Sequence, residues 1–254
     1  QHSVKELRSL GLQPDCLICR LEKELPREEK AKIALFCSVN VDSVISMHDV
    51  NTVYSIPLLL HSQQVDEILL KSLNLSKVIK PNLSDWKKVV DAKLHPKNTV
   101  EIAIVGKYVD LKDSYKSLNE AFEHAGIINH TKVNLSFIDA SKLNKKNVKK
   151  MLSFADGILI PGGFGKRGIE GMIIAANYAR RKNVPYFGIC LGMQVAVIEA
   201  ARNLCQKPDA NSTEFDDATS YPIVGLITEW ATESGESVER TADSDLGGTM
   251  RLGE

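Results

Sequence analysis

The sequence predicts an α/β protein whose main part is a parallel β-sheet flanked by helices, preceded by a shorter segment that mixes helix and strand. From Val100 onward, short apolar runs alternate with longer amphipathic segments. This alternation is typical of parallel sheets, because parallel strands must be joined by a crossover that is usually a helix. Glycine-rich turns follow two of the apolar runs, at 161–165 and 188–192. They mark the sheet edge at which the functional residues of such folds gather.

The first 82 residues mix helices and strands but are too short to enclose a complete core. Gly11 and Pro26 interrupt the chain there, and the apolar residues of 64–73 have helical spacing. We predict helices over residues 4–10, 27–36 and 64–73, and strands over residues 16–19, 44–46 and 55–60. Residues 83–98 contain Trp86 and Pro96 among polar neighbours and are predicted to form a linker that can include a helical turn.

Residues 99–254 form the second predicted domain. Its strands are predicted over 100–105, 132–138, 157–160 and 185–189, and its helices over 114–124, 144–154, 168–182 and 193–203. Because the carboxyl ends of parallel strands meet at one edge, three loops should lie together there. They are the loop at Gly106-Lys107-Tyr108, the loop at 161–165 and the turn at Cys190.

The composition is that of an ordinary globular chain. Of the 254 residues, 43% are hydrophobic and 25% are charged, and 32 Lys and Arg balance 32 Asp and Glu. This balance indicates neither a nucleic acid nor an acidic membrane as a partner. No apolar run approaches the roughly 20 residues of a membrane span. The five cysteines form an odd, unpatterned set, which fits a reducing cytoplasm, and no metal-binding pattern is found.

Cys190 is the candidate nucleophile. It follows the apolar run 184–187, is flanked by Gly188 and Gly192, and precedes a helical segment. This layout is typical of a nucleophile elbow, in which a tight strand-to-helix turn exposes the central side chain. The helix N-terminus behind the sulfur favours the thiolate, which is the reactive form. The alternative is a buried structural cysteine.

A thiolate that attacks an amide also needs donors for the developing oxyanion and a general base. The backbone N–H of Leu191 and the glycine loop at 161–165 can supply the donors, although such a loop can equally be a flexible turn. All six histidines precede Cys190, and none belongs to a predicted strand-end loop. The sequence therefore predicts a nucleophile without an evident base.

These motifs resemble the class I (triad) glutamine amidotransferases and, among them, the CTP synthase family. The resemblance extends over essentially the whole chain. It rests on Gly188-Ile-Cys-Leu-Gly-Met-Gln194, Pro161-Gly-Gly-Phe-Gly165, Gln1-His-Ser-Val-Lys-Glu-Leu7, Ala31-Lys-Ile-Ala-Leu-Phe36, Val105-Gly-Lys-Tyr108, Asn211-Ser-Thr-Glu-Phe215 and Ser244-Asp-Leu-Gly-Gly-Thr-Met-Arg-Leu-Gly253.

The resemblance implies an ATP-dependent amidoligase domain of the P-loop type that ends near residue 82, followed by a glutaminase domain. Such an enzyme aminates UTP to CTP with ammonia released from glutamine. GTP activates it, the full enzyme is a cytoplasmic homotetramer, and Mg²⁺ accompanies ATP. By this resemblance, the Mg²⁺ ligands would precede Gln1, and the His and Glu of the triad would follow Glu254. The chain alone is then expected to hydrolyse glutamine poorly.

The resemblance also implies roles for particular residues. Cys190 would form the glutamyl thioester, with Gly163 and Leu191 as oxyanion donors. The remaining implied contacts are with glutamine (Gly163, Leu191, Gly192, Met193, Gln194 and Glu214, the last on the α-ammonium), with UTP or CTP (Gln1 and Lys32), with ATP (Val50), and with the GTP-responsive lid (Phe164 and Arg240).

Two other functions stay open. The chain could contain the glutaminase of a different amidotransferase or a cysteine hydrolase of similar fold. It could also be a non-catalytic fragment that binds nucleotides or assembles with intact subunits. Residues 1–82 favour the CTP synthase interpretation, because they resemble an amidoligase and an unrelated glutaminase is not expected to follow one.

Overall fold

The computed structural model describes residues 1–75, 80–107 and 115–225, together with the backbone of two short strands at 229–231 and 237–239. The chain divides into two compact units. The first is Gln1–Asn98 with Ala125–Lys132, and the second is Thr99–His124 with Val133–Glu254.

The first unit contains a strand–helix–strand crossover. Strand β1 (Leu17–Leu21) pairs in parallel with β2 (Val44–His48), and helix α2 (Arg27–Cys37) connects them. The helix begins after Pro26 and ends at Ser38, which has a left-handed conformation. The other helices of this unit are α1 (His2–Ser9), α3 (Ile56–Ser62), α4 (Val65–Ser72) and α5 (Ser84–Leu94).

The predicted strand at 55–60 is wrong, because this segment is part of helix α3. A short apolar run fits a strand and a buried helix equally well, and the proline in the first turn of α3 is the helical signal. The side-chain amide of Gln63, just after α3, bonds the backbone of Ser46 in β2 through its Oε1 (2.9 Å) and its Nε2 (2.9 Å). These bonds attach the end of α3 to β2.

The predicted linker at 83–98 contains more helix than the single turn expected. Helix α5 extends over 11 residues of it. Asn82 Oδ1 accepts a hydrogen bond from the N–H of Ser84 (3.0 Å), which satisfies one of the unpaired donors at the helix start. The indole of Trp86 donates to the carbonyl of Tyr54 (2.6 Å), so α5 is attached to the first unit.

The second unit is built on a four-stranded sheet, and the prediction of a parallel sheet flanked by helices is confirmed. The strand order is β4-β3-β5-β6, and β5 pairs in parallel with both β3 and β6. The strands are β3 (Asn98–Gly106), β4 (Thr131–Asp139), β5 (Gly157–Ile160) and β6 (Tyr186–Gly188). The helices are α6 (Lys116–Ile128), α7 (Val148–Leu152), α8 (Ile169–Lys182) and α9 (Leu191–Asn203).

Helix α7 is shorter than the predicted segment 144–154. The side-chain oxygen of Asn144 accepts from the N–H groups of Lys146 (2.9 Å) and Asn147 (3.1 Å), and Asn147 Oδ1 accepts from the N–H of Asn144 (2.8 Å). These local bonds replace helical ones, as asparagine side chains commonly do at helix starts. The helix therefore begins at Val148.

The core of the second unit lies between the sheet and helices α7, α8 and α9. Its fully buried side chains include Leu152, Ile160, Met172, Val195 and Ile198. After α9 come β7 (Ala210–Ser212) and β8 (Tyr221–Val224), which pair in parallel, and β9 (Glu229–Ala231) and β10 (Ser237–Glu239), which pair antiparallel. Among the described helices, none is long and apolar enough to cross a bilayer.

Candidate functional site

The candidate site begins where β5 and β6 end side by side. The pairing places Ile160 opposite Gly188, and the N–H of Ile189 donates to the carbonyl of Ile160 (2.9 Å). Cys190 follows with φ 52° and ψ −105°, and α9 begins at the next residue. A non-glycine residue with positive φ is strained by about 1–3 kcal/mol and is typical of functional turns. The side chain of Cys190 is exposed.

The two glycines around Cys190 are required by close backbone contacts. A Cβ on Gly188 would lie 2.3 Å from the carbonyl carbon of Gly192. A Cβ on Gly192 would lie 2.0 Å from the carbonyl oxygen of Ile160. Neither position therefore accommodates a larger residue without moving the backbone, which is the reason for the G-x-C-x-G pattern.

The start of α9 leaves one N–H available beside the thiol. The N–H groups of Met193 (3.0 Å) and Gln194 (3.2 Å) bond the carbonyl of Cys190, and that of Gly192 bonds Ile189 (2.9 Å). Within the described residues, the N–H of Leu191 has no acceptor. Because the positive end of the helix dipole lies at this point, the arrangement favours negative charge next to Cys190.

Tyr186 in β6 supports this helix start. Its hydroxyl donates to the carbonyl of Gly192 (2.6 Å). Burial, with a smaller contribution from the charge of Glu199, raises the pKa of Tyr186, so its hydroxyl stays a donor at neutral pH.

The glycine loop, at 161–165, lies over Cys190. It follows β5, and a Cβ on Gly162 would lie 3.6 Å from the Cβ of Cys190. A Cβ on Gly163 would lie 3.5 Å from the side chain of Leu191. In the part of the chain that the structure describes, the N–H of Gly163 also has no acceptor. The two residues expected to supply oxyanion donors are thus neighbours, and their N–H groups are both available.

Two charged side chains hold the far end of this loop. Lys107 Nζ donates to the carbonyls of Phe164 (2.8 Å) and Gly165. Glu214 Oε1 accepts from the N–H of Gly165 (2.7 Å). Burial lowers the pKa of Lys107. The negative charge of Glu214 partly offsets this lowering, and the positive charge of Arg167 adds to it.

Lys107 is a site residue to which sequence reasoning gave no role. The sequence places Lys107 at the end of a predicted buried strand, where a lysine is ordinarily expected to point into solvent. The structure shows it to be 4% exposed. The sequence signal that could have found it is the position of Lys107 directly after the buried end of β3, at the edge where the glycine loop also lies.

The structure places the other predicted site residues as follows. Met193 is exposed, and Gln194 and Glu214 are half-buried in the second unit. Gln1 and Lys32 are exposed and Val50 is half-buried, all in the first unit. No contact that joins Gln1, Lys32 and Val50 is seen among the described residues. Phe164 is 40% exposed, and Arg240 lies outside the described residues.

Among the described residues, no hydrogen bond or ion pair joins a histidine to Cys190. Five of the six histidines belong to the first unit, and the sixth, His124, is at the end of the second unit's share of α6. His124 lies 4.0 Å from the carboxylate of Glu120. Among the described residues there is also no group of three or more His, Cys, Asp or Glu that could hold a metal ion.

Comparisons with known proteins give two family matches. Residues 1–75 match the model of the CTP synthase N-terminus, and residues 110–254 match the model of class-I glutamine amidotransferases. Among solved structures, the chain is similar to the glutaminase domain of Trypanosoma brucei CTP synthase with bound acivicin. The two are 43% identical, with a TM-score of 0.48 and coverage of 50% of each chain. The chain thus spans about half the length of this relative.

Proposed function

We propose that this chain, which belongs to the class-I glutamine amidotransferase family, provides Cys190, at which the full-length protein releases ammonia from glutamine for the amination of UTP to CTP. The observation that carries the glutaminase proposal is the strained, exposed Cys190 at the N-terminus of α9, directly under the glycine loop. The match of residues 1–75 to the CTP synthase N-terminus supports UTP as the acceptor.

In the proposed first step, the Cys190 thiolate attacks the side-chain amide carbon of glutamine. The carbonyl oxygen becomes an oxyanion and accepts hydrogen bonds from the free N–H groups of Gly163 and Leu191. The amide nitrogen takes up a proton from a general acid and leaves as ammonia, and a glutamyl thioester remains. Water then cleaves the thioester to give glutamate and restores the thiolate. Each missing oxyanion donor typically costs a factor of 10²–10³ in rate.

The substrate would be held by groups around this turn. Residues Leu191 to Gln194 would line the glutamine pocket, and Glu214 would bind the α-ammonium group. One oxygen of Glu214 bonds Gly165 (2.7 Å), so the second oxygen would meet the ammonium. A carboxylate suits this role because it accepts charge-assisted hydrogen bonds.

The amination of UTP would take place in a separate, ATP-dependent site. ATP would phosphorylate O4 of UTP, and ammonia would displace the phosphate. Gln1 and Lys32 would contact UTP or CTP, and Val50 would contact ATP. ATP would bring Mg²⁺, for which the described residues offer no group of three or more His, Cys, Asp or Glu as ligands.

Regulation and assembly belong to the same proposal. GTP would activate glutamine hydrolysis through a lid at 240–249 that includes Arg240, with Phe164 at the edge of the glycine loop. The full-length protein would act as a cytoplasmic homotetramer.

The decisive experiment measures ammonia release from glutamine by the full-length protein, with and without GTP, in Cys190→Ala and Cys205→Ala variants. Both cysteines are free and exposed, so Cys205→Ala is a matched control. We expect Cys190→Ala to abolish ammonia release and Cys205→Ala to retain it. The glutamine-like electrophile acivicin should label the wild type once, at Cys190. Activity that survives in Cys190→Ala would refute the proposed chemistry.

A second measurement separates UTP amination from other amidotransferase reactions. CTP binding by calorimetry should weaken in Lys32→Met, because the cation would contact the nucleotide. Lys23→Met is the control, since Lys23 is likewise exposed but carries no proposed contact. Cys190-dependent ammonia release without any CTP or UTP binding would favour the glutaminase of a different synthase.

A further inference from the structure

The Phe164–Gly165 peptide group of the glycine loop is bonded at both of its ends by charged side chains. Its carbonyl oxygen, on Phe164, accepts from Lys107 Nζ (2.8 Å). Its N–H, on Gly165, donates to Glu214 Oε1 (2.7 Å). A peptide plane that is bonded on both sides cannot rotate without breaking two charge-assisted hydrogen bonds. These bonds compensate for the freedom that glycines give to a loop.

Lys107 makes further contacts along the same loop. Its Nζ also donates to the carbonyl of Gly165. Its Cδ and Cε lie 3.5 Å and 3.8 Å from the position that a Cβ on Gly163 would occupy, so the stem of the side chain passes beside Gly163. In return, the guanidinium of Arg167, just after the loop, donates to the main-chain carbonyl of Lys107. The end of β3 and the glycine loop therefore hold each other through side-chain to main-chain bonds in both directions.

The burial of Lys107 indicates that these contacts are specific. Its side chain is almost fully enclosed, whereas Lys166, directly after the loop, is exposed. A lysine is rarely buried without a partner, because its ammonium loses hydration there. Here the carbonyls of Phe164 and Gly165 and the nearby carboxylate of Glu214 replace that hydration.

We propose that Lys107 is a positioning residue that fixes the glycine loop so that the N–H of Gly163 points toward the oxyanion at Cys190. In this role Lys107 acts through its bonds to the carbonyls of Phe164 and Gly165 and takes no part in the reaction itself. This inference rests on the proposed glutaminase function. A preorganised donor is effective only if it is already oriented, and small misplacements of such groups typically cost up to about 10²-fold in rate.

The test compares Lys107→Met, Lys107→Arg and Lys166→Met in the full-length protein. Methionine preserves the length of the stem but removes the donor, and Lys166→Met removes an exposed cation directly after the loop. We expect Lys107→Met to lower kcat for glutamine hydrolysis about tenfold to a hundredfold, with KM within threefold of the wild type. Lys107→Arg, which keeps a donor, should recover part of this loss, and Lys166→Met should behave as the wild type.

A purely structural role predicts a different pattern. It would lower the urea midpoint and change the rate at which iodoacetamide alkylates Cys190, whereas a positioning role leaves that alkylation rate within twofold. A kcat of Lys107→Met within threefold of the wild type would overturn the inference, as would a loss of activity that parallels a loss of folded protein.

If Lys107→Met does not fold, Arg167→Met decides, because it releases the main chain of Lys107 and should lower kcat at least fivefold at unchanged KM. An unchanged kcat in that variant overturns the inference.

The two proposals fail separately. If the Cys190→Ala variant releases ammonia as fast as the wild type, both the proposed function and this inference are refuted. Cys190-dependent activity that is insensitive to Lys107 would remove the inference alone.

Discussion

Replacement of Gly192 by alanine tests whether close backbone packing determines the geometry of the turn at Cys190. Helix propensity alone predicts stabilisation of up to about 1 kcal/mol, because alanine is the better helix former. The structure predicts the opposite sign. The new Cβ would lie 2.0 Å from the carbonyl oxygen of Ile160 and 2.9 Å from its carbonyl carbon. An ordinary contact between such atoms is about 3.5 Å, so α9 would have to move away from β5 by more than 1 Å.

The cost should lie at the upper end of that for overpacked cores. Overpacking typically costs about 1–3 kcal/mol, and here both sides of the contact are backbone, which cannot choose another rotamer. We expect Gly192→Ala to lower the free energy of unfolding by about 3 kcal/mol. The measurement is urea unfolding followed by circular dichroism, with Gly225→Ala as the control, because no atom lies within 4 Å of a Cβ at Gly225. A Gly192→Ala protein as stable as the wild type, or more so, would refute the packing argument.

Three further outcomes follow from contacts in the second unit. Glu199→Gln should lower the free energy of unfolding by about 2 kcal/mol. The carboxylate of Glu199 is buried and bonds the guanidinium of the partly exposed Arg180 (2.8 Å) and the side-chain amide of the half-buried Asn177 (2.7 Å). Desolvation opposes ionisation of Glu199, but these bonds outweigh it and lower its pKa. Its stabilising contribution is therefore complete above the unfolded pKa of about 4.3 and is lost as the pH falls through the lower folded value. Unfolding of wild type and Glu199→Gln between pH 7 and pH 3 should show their difference shrinking, and a constant difference would contradict this assignment. Tyr186→Phe should lower the free energy of unfolding by about 1 kcal/mol through loss of the bond to Gly192, and thermal unfolding that matches the wild type would count against that bond.

The sequence was sufficient to predict the sheet of the second unit but not all helices of the first. Strand β5 at 157–160 matches its prediction, because a continuous apolar run between turn residues has few alternatives. The apolar run at 55–60 is short enough to fit either a strand or a helix. It is helical because Pro57 lies in the first turn of α3 and because Gln63, just after α3, bonds Ser46 in β2. The extent of α5 was also missed, since Trp86 packs against Tyr54, which is distant in sequence.

The candidate site divides in the same way. Cys190 and its two glycines could be identified from the sequence, because their requirement is local and lies within five consecutive residues. The bonds of Lys107 and Glu214 to the glycine loop could not, since they join segments about 50 residues apart. Spacing along the chain carries no information on such contacts, which depend on the sheet order.

The pairing of Ile160 with Gly188 has a consequence for which insertions and deletions this protein can tolerate over evolution. Side chains alternate between the two faces of a strand, so one residue added to either strand would turn every later side chain of that strand to the opposite face. An added residue in β6 would also advance the chain by about 3.3 Å and carry Cys190 past the loop that covers it. Length variation should therefore accumulate in solvent-facing turns, such as 144–147. It should be excluded from the short strands 157–160 and 186–188, where each residue pairs with a fixed partner in the neighbouring strand.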